Sequence, residues 1–172
     1  MGNLATPEAL IARWEEAQRD PTLQDLPYKI EVNAWGKLEM SPASNRHGRL
    51  QIELGFELKR QLPGGLVISE CSILTRIGIR VPDVVWASPQ FLQDFGEITP
   101  YLRAPEICVE IVSPSNVQAE IVEKMDAYFG AGAHEVWLVS EAGTIRYFGP
   151  AGEKAESGFP VRISLPPPAE KR

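Results

Sequence analysis

Cysteine and histidine are scarce in this 172-residue chain, with two of each. Cys71 and Cys108 both stand in apolar surroundings, too few and too hydrophobically placed for a disulfide framework or a zinc site. Buried, reduced thiols in a cytoplasmic protein are therefore expected. No recognisable motif sets a histidine beside either one, which leaves hydrolysis by a Ser or Cys nucleophile without support. Positive charge is also short. Seventeen Lys and Arg against 23 Asp and Glu give a net charge of −6, the wrong sign for a protein that coats nucleic acid by bulk attraction. Any contact with DNA would have to be local and metal-assisted. No apolar run approaches the roughly 18 residues of a spanning helix, so no membrane association is expected. The opening residues lack a basic region followed by an apolar one, so no secretory signal is expected. A loose myristoylation pattern at Gly2 is outweighed by Thr6-Pro7-Glu8, which reads as a helix start with Thr capping and Pro in the first turn.

What is present suits one globular domain: 44% hydrophobic and 23% charged residues in a chain of ordinary domain length. Proline placement divides it, because a helix interior tolerates none. Between Pro42 and Pro63, Leu50, Leu54, Leu58 and Leu62 recur every four residues, with Arg49, Glu53, Glu57 and Arg60 on other faces. This predicts an amphipathic helix stopped by Pro63-Gly64-Gly65. Between Pro114 and Pro150, Val117, Ile121, Met125, Tyr128 and Phe129 predict a second helix, ended near Gly130 and Gly132. Segments 66–68, 79–87, 107–112, 135–139 and 144–148 are rich in Val, Ile and aromatic residues and read as strands, with a hairpin over 28–32 and 37–40. The order predicts an α/β fold, a mixed sheet flanked by helices, in a single domain over 1–165. A helix and hairpin at about 6–40 precede the core, and 166–172, opening on three prolines, is expected to be a flexible tail.

Two acids interrupt apolar strands. Asp83 follows Pro82 in the run Arg80-Val81-Pro82-Asp83-Val84-Val85-Trp86, and Glu110 alternates with apolar residues in 107–112. Period two puts Glu106, Cys108, Glu110 and Val112 on one face and Ile107, Val109 and Ile111 on the other. If the two strands share a sheet, Asp83 and Glu110 can converge, and a divalent cation would offset their repulsion and desolvation. Oxygen-only ligands suit Mg²⁺ or Mn²⁺. The plainer alternatives are an Asp83 that caps a turn, or a salt bridge from either acid to Arg76, Arg80 or Arg103. Glu120 and Lys124 are four apart, hence on one helix face, either as an exposed pair or with Lys124 placed to neutralise charge on a phosphate. His47, Arg46 and Arg49 gather at the start of the first long helix, where a DNA phosphate contact competes with a simple solvated cap.

The ordered set Gly-Lys-Leu-Glu-Met-Ser-Pro-Ala-Ser with His47 soon after, Arg-Val-Pro-Asp-Val, Val-Glu-Ile-Val-Ser-Pro-Ser, Glu-Lys-Met-Asp-Ala-Tyr and Gly-Ala-His-Glu-Val-Trp-Leu-Val resembles the Uma-two family of restriction endonuclease-like proteins, within the PD-(D/E)XK nuclease superfamily. The resemblance implies a restriction endonuclease-like core and metal-dependent hydrolysis of phosphodiester bonds. It carries the Pro-Asp acid onto Asp83 and the strand acid onto Glu110. The superfamily lysine, two residues after the strand acid, falls on Val112; the family's substitute in the following helix falls on Lys124. Glu120 stands where the nearer relatives carry Asp. A superfamily acid on the first core helix makes Glu53 a candidate third metal carboxylate.

The resulting expectation is a DNA endonuclease using Mg²⁺ or Mn²⁺. Asp83, Glu110, Lys124 and Glu120 are its catalytic groups, Asp83, Glu110 and Glu53 its metal ligands, and Arg46, His47 and Arg49 its DNA contacts. Binding to DNA should be weak without metal, and the two-fold symmetry of many duplex sites leads to an expected homodimer. The competing reading is an inactive nuclease fold that binds nucleic acid or protein. Retention of both acids favours the enzyme.

Overall fold

A computed structural model of the chain describes residues 4–169, so Gly2 and the end of the 166–172 segment lie outside it. Thr6 accepts a hydrogen bond from the Ala9 N–H and starts α1 (Pro7–Arg19), which a one-turn α2 (Pro21–Gln24) follows. β1 (Tyr28–Asn33) and β2 (Leu38–Pro42) form the expected hairpin, and Asn33 Oδ1 accepts from the Trp35 and Lys37 amides in its turn. Ser44 caps α3 (Asn45–Gln61) through the His47 amide. The chain continues through β3 (Leu66–Ser69), β4 (Ile73–Thr75), β5 (Gly78–Arg80), β6 (Val84–Ala87), α4 (Pro89–Phe95), β7 (Ile107–Val112), α5 (Gln118–Ala131), β8 (Glu135–Ser140), β9 (Ile145–Gly149) and β10 (Gly152–Lys154). Gly132, in the left-handed region, closes α5.

The fold is mixed α/β, as expected, but it has two sheets. The smaller runs β2-β1-β5-β4, all antiparallel. The larger runs β10-β9-β8-β7-β6-β3 and is mixed, with β7 and β8 parallel across the α5 connection. The single strand expected over 79–87 is in fact two, one in each sheet. Pro82 offers no ladder donor, and the chain changes sheets at Val81-Pro82-Asp83.

The larger sheet is covered on both faces. Leu50, Leu54 and Leu58 of α3 pack on Val84, Trp86, Ile107, Val109, Ile111 and Trp137. On the opposite face Met125 and Tyr128 of α5 pack on Val85, Cys108, Val136 and Leu138. The alternation read in β7 therefore holds, with Cys108 on the α5 side and Ile107, Val109 and Ile111 on the α3 side. Both cysteines are free and buried. α1 closes the smaller sheet, setting Leu10 and Trp14 against Val32, Ile79 and Val81. No helix among the described residues is long and apolar enough to cross a membrane.

Candidate active site

Asp83 stands where the two sheets meet. Its backbone still belongs to the larger one, since its N–H donates to Val109 O at 2.9 Å and its carbonyl accepts from the Glu70 N–H at 3.2 Å. Its side chain stays too. Asp83 Oδ2 accepts the Ile111 N–H at 2.7 Å, the β7 donor next to where β6 would have continued had the chain not left the sheet at Pro82. The carboxylate thus completes a ladder and is fully buried, at 0% exposure. One step beyond the Val84–Val109 pair, the same register brings Glu110 alongside it.

The side-chain partners of these two acids come from the smaller sheet and from the helices α3 and α5. On β1, period two puts Lys29, Glu31 and Asn33 on the cleft side, while Ile30 and Val32 face α1. Lys29 Nζ lies 2.7 Å from Asp83 Oδ1 and 3.5 Å from Glu110 Oε2, bridging the acids. His47 Nε2 lies 3.2 Å from the same Asp83 Oδ1. From α5, the Tyr128 hydroxyl donates to Glu110 Oε1 at 2.6 Å, and Lys124 Nζ lies 3.6 Å from that oxygen and 2.9 Å from Glu31 Oε2. Glu31 also accepts the Val81 N–H at 2.8 Å. In the hairpin register Glu31 faces Glu39, a repulsive pair that Arg80 of β5 relieves by reaching both carboxylates.

Burial alone would raise the acids' pKa values and lower those of the lysines. For Asp83 it is outweighed by the His47 hydrogen bond and the Lys29 charge, which hold the carboxyl below its ordinary value. For Glu31 the charges of Lys124 and Lys29 do the same. Burial opposes the charge of Lys29, but Glu110, Asp83 and Glu31 hold it firmly as an ammonium, and Glu110 and Glu31 do so for Lys124. The Asp83 hydrogen bond raises His47. Glu70, directly after β3, is pushed up by burial; its backbone lies in the left-handed region at φ 52°, a strained conformation for a residue with a side chain. Gln51 of α3 holds it, donating to both the Glu70 carboxylate and the Asp83 carbonyl. His47, Glu70 and Asp83 place ligand atoms within 4.8 Å of one another, a set able to hold a metal ion. All these groups except Asp83, Gln51 and Tyr128 line one cleft of about 780 Å³, roughly the size of known ligand sites.

The family model described as "Uma2: Putative restriction endonuclease" matches residues 14–168. The chain belongs to the Uma2 family. Among solved structures it is similar to one described as a "putative nuclease belonging to DUF820" from Anabaena variabilis, at 21% identity and a TM-score of 0.59, over 70% of this chain and 72% of that one. That likeness shows the fold. No curated protein matches.

In this Uma2 chain the residues singled out from sequence lie as follows. Asp83, Glu110 and Lys124 meet, and Val112 lines the cleft beside them. Lys124 turns inward to Glu31 rather than pairing with Glu120, which stands exposed on the cleft rim. Glu53 is paired with Arg49 at 3.8 Å on the outer part of α3 and does not line the cleft; Glu70 is the third carboxylate there. Arg46 donates to Glu141 O at 2.8 Å and to Pro166 O at 2.6 Å, so its guanidinium holds the C-terminal segment. His47 points to Asp83 instead of capping its own turn.

Sequence reasoning missed Lys29, Glu31, Glu70, Gln51 and the role of Tyr128. Lys29 and Glu31 did leave a signal, two charges on one face of an apolar strand. Glu70 left none, because its placement depends on a backbone kink.

Proposed function

We propose that the chain is a divalent-metal-dependent endonuclease hydrolysing phosphodiester bonds of DNA, with Asp83 and Glu110 as its central carboxylates and Mg²⁺ or Mn²⁺ as its cofactor. The observation that carries this reading is the convergence of two buried acids from adjacent strands around a single cation position on the floor of an open cleft. Family membership supports it. The donor chemistry fits the metal: Asp83 and Glu70 offer hard oxygens and His47 a nitrogen that Mn²⁺ accepts readily, while Glu110 presents a further carboxylate across the Lys29 ammonium from Asp83.

A divalent cation held by Asp83, Glu110, Glu70 and His47 would supply positive charge for a phosphate and activation of water. The protein groups divide the remaining work. Ile111 N–H and Tyr128 OH fix the orientation of Asp83 and Glu110, each through one carboxylate oxygen. Lys124, tethered by Glu31, carries positive charge to the edge of Glu110, where it can stabilise charge developing on a phosphate. Glu120, exposed on the rim and unpaired with Lys124, is left to orient solvent at the cleft mouth. Arg49 stays exposed for a backbone phosphate. With a net charge of −6, affinity for DNA should be weak without metal and should fall as salt rises.

The test is incubation with supercoiled and single-stranded DNA in Mg²⁺ or Mn²⁺ and in chelator, for the wild type, Asp83→Ala and Glu110→Ala, with folding checked by circular dichroism. Cleavage should need the metal and vanish in both folded variants. The Lys29 ammonium between the two acids, a cation the chain itself supplies at that position, favours a second reading, a nucleic-acid-binding module that cleaves nothing. DNA binding without cleavage under every metal condition would establish that one instead.

A further inference from the structure

The oxygens of Asp83 and Glu110 are not equally free. Asp83 Oδ2 is occupied by the Ile111 amide and Glu110 Oε1 by the Tyr128 hydroxyl. The remaining two, Asp83 Oδ1 and Glu110 Oε2, both face the ammonium of Lys29, which is the one group they share; Asp83 Oδ1 also lies 3.2 Å from His47 Nε2. A cation that takes both of these oxygens takes the place of that ammonium, because two positive charges cannot share one interstice at contact distance.

We propose that Lys29 is a tethered counter-cation that holds the metal position in the metal-free protein and is displaced when a divalent cation binds. The inference rests on the metal-dependent reading above and assigns it a built-in competitor. The chemistry of the side chain suits the task. A lysine is a compact point charge on a flexible stem of four carbons, so it can bridge two buried acids, offset part of their charge and still swing away, where a planar arginine fork would lock. Its place in the fold suits it as well. Lys29 belongs to β1 of the smaller sheet and reaches across to acids anchored in the larger one, so its release breaks no hydrogen bond inside either sheet. The cleft wall offers the freed ammonium another acid, since Glu31 lies two residues along the same face. Lys124 does not compete for this position: its closest partner is Glu31, and it approaches Glu110 on the oxygen that Tyr128 already holds.

Two measurements test this. In the first, wild-type protein is acetylated briefly with an N-hydroxysuccinimide ester, with and without Mn²⁺, and each lysine is quantified by peptide mass spectrometry. The Lys29 side chain is now 12% exposed, so full release should raise its modification about eightfold, with exposed Lys59 as the internal reference. In Asp83→Asn the Mn²⁺-dependent rise should disappear. In the second, Mn²⁺ is titrated calorimetrically into wild type and Lys29→Met, and the variant should bind at least about tenfold more tightly, because the ion no longer has to displace a like charge from the same two oxygens.

Mn²⁺ binding with unchanged Lys29 modification, or weaker binding by Lys29→Met, would overturn the displacement and leave the metal site standing. Absence of Mn²⁺ binding in both proteins would overturn the metal reading itself and the displacement with it. Binding by the variant alone would also overturn the displacement, since the ammonium would then exclude the metal rather than yield to it. If Lys29→Met folds only in Mn²⁺, the displacement is supported; if it folds in neither condition, the wild-type modification experiment decides.

Discussion

Replacing Tyr128 by Phe removes one oxygen atom from a fully buried position and leaves the ring in its packing against the larger sheet. The lost interaction is a 2.6 Å hydrogen bond donated to the Glu110 carboxylate, which also faces the Lys29 and Lys124 ammonium groups. Hydrogen bonds to charged groups contribute about 1.5–3 kcal/mol, and the abandoned Glu110 oxygen would keep only the Lys124 ammonium, 3.6 Å away. Tyr128→Phe should therefore destabilise the metal-free protein by about 1.5–3 kcal/mol. At the 2–4 °C per kcal/mol typical of a chain this long, that is a fall of about 3–12 °C in Tm. Urea unfolding followed by tryptophan fluorescence gives the free energy, and a thermal scan the Tm. Glu110→Gln supplies the control. A neutral amide oxygen still accepts from the phenol, but the bond then belongs to the weaker neutral class, so the cost of Tyr128→Phe should shrink to about 0.5–1.5 kcal/mol. A loss below about 0.5 kcal/mol in the wild type, or an equal loss in both backgrounds, would refute the assignment of this bond as charge-assisted.

Lys124→Ala should lower the cleavage rate about 10²–10⁴-fold with little change in fold, and Val112→Lys added to it should recover part of the loss if both positions serve one phosphate; single-turnover kinetics reads this out. Burial works to raise the Glu135 carboxyl, but Lys154, Ser157, the Gly158 N–H and the Trp137 indole N–H hold it below its ordinary value. Its stabilising contribution is complete above the unfolded carboxylate range and is lost as pH falls through the lower folded value, so Glu135→Gln should flatten the acid limb of a stability-versus-pH curve. At Gly78, φ is +110° and an added Cβ would lie 2.0 Å from Val32 O, so Gly78→Ala should cost about 2–6 kcal/mol in urea unfolding. Arg46→Ala should speed proteolysis near Pro166 while leaving Mn²⁺ affinity unchanged.

The parts of this architecture legible in the sequence are those governed by local periodicity. The leucines of α3, the amphipathic α5 and the alternation of β7 each repeat over several turns or pleats, and each element formed where its pattern lies. That alternation also carried the acid pair, because Glu110 among apolar neighbours needs a partner wherever the strand goes. What stayed hidden depends on contacts between distant segments. The run 79–87 is rich enough in Val and Ile to read as one strand, and the competition between two sheets for its ends divides it at Pro82. Arg46 read as a phosphate contact because its partners, the carbonyls of Glu141 and Pro166, lie about a hundred residues away. Glu70 enters the cleft only through a left-handed backbone that no pattern announces.

The bridge between the two sheets also bears on the order in which this protein can acquire its site. The Lys29–Asp83 bond closes 54 residues of chain and the Lys124–Glu31 bond closes 93, whereas the helices and hairpins form from near neighbours. Long closures carry a larger entropic cost and come late in folding. While β1 is still undocked, Asp83 and Glu110 sit side by side on the larger sheet without Lys29, and their repulsion opposes pairing of the β6 entrance with β7. Docking of the smaller sheet delivers the missing cation. The cleft is therefore a product of the last step of assembly, and a fragment of either sheet alone would hold half of an unbalanced charge cluster. Amide exchange in β1 should accordingly report on the two acids: neutralising both, as in Asp83→Asn with Glu110→Gln, uncouples β1 from the larger sheet and lets its amides exchange faster than those of β7.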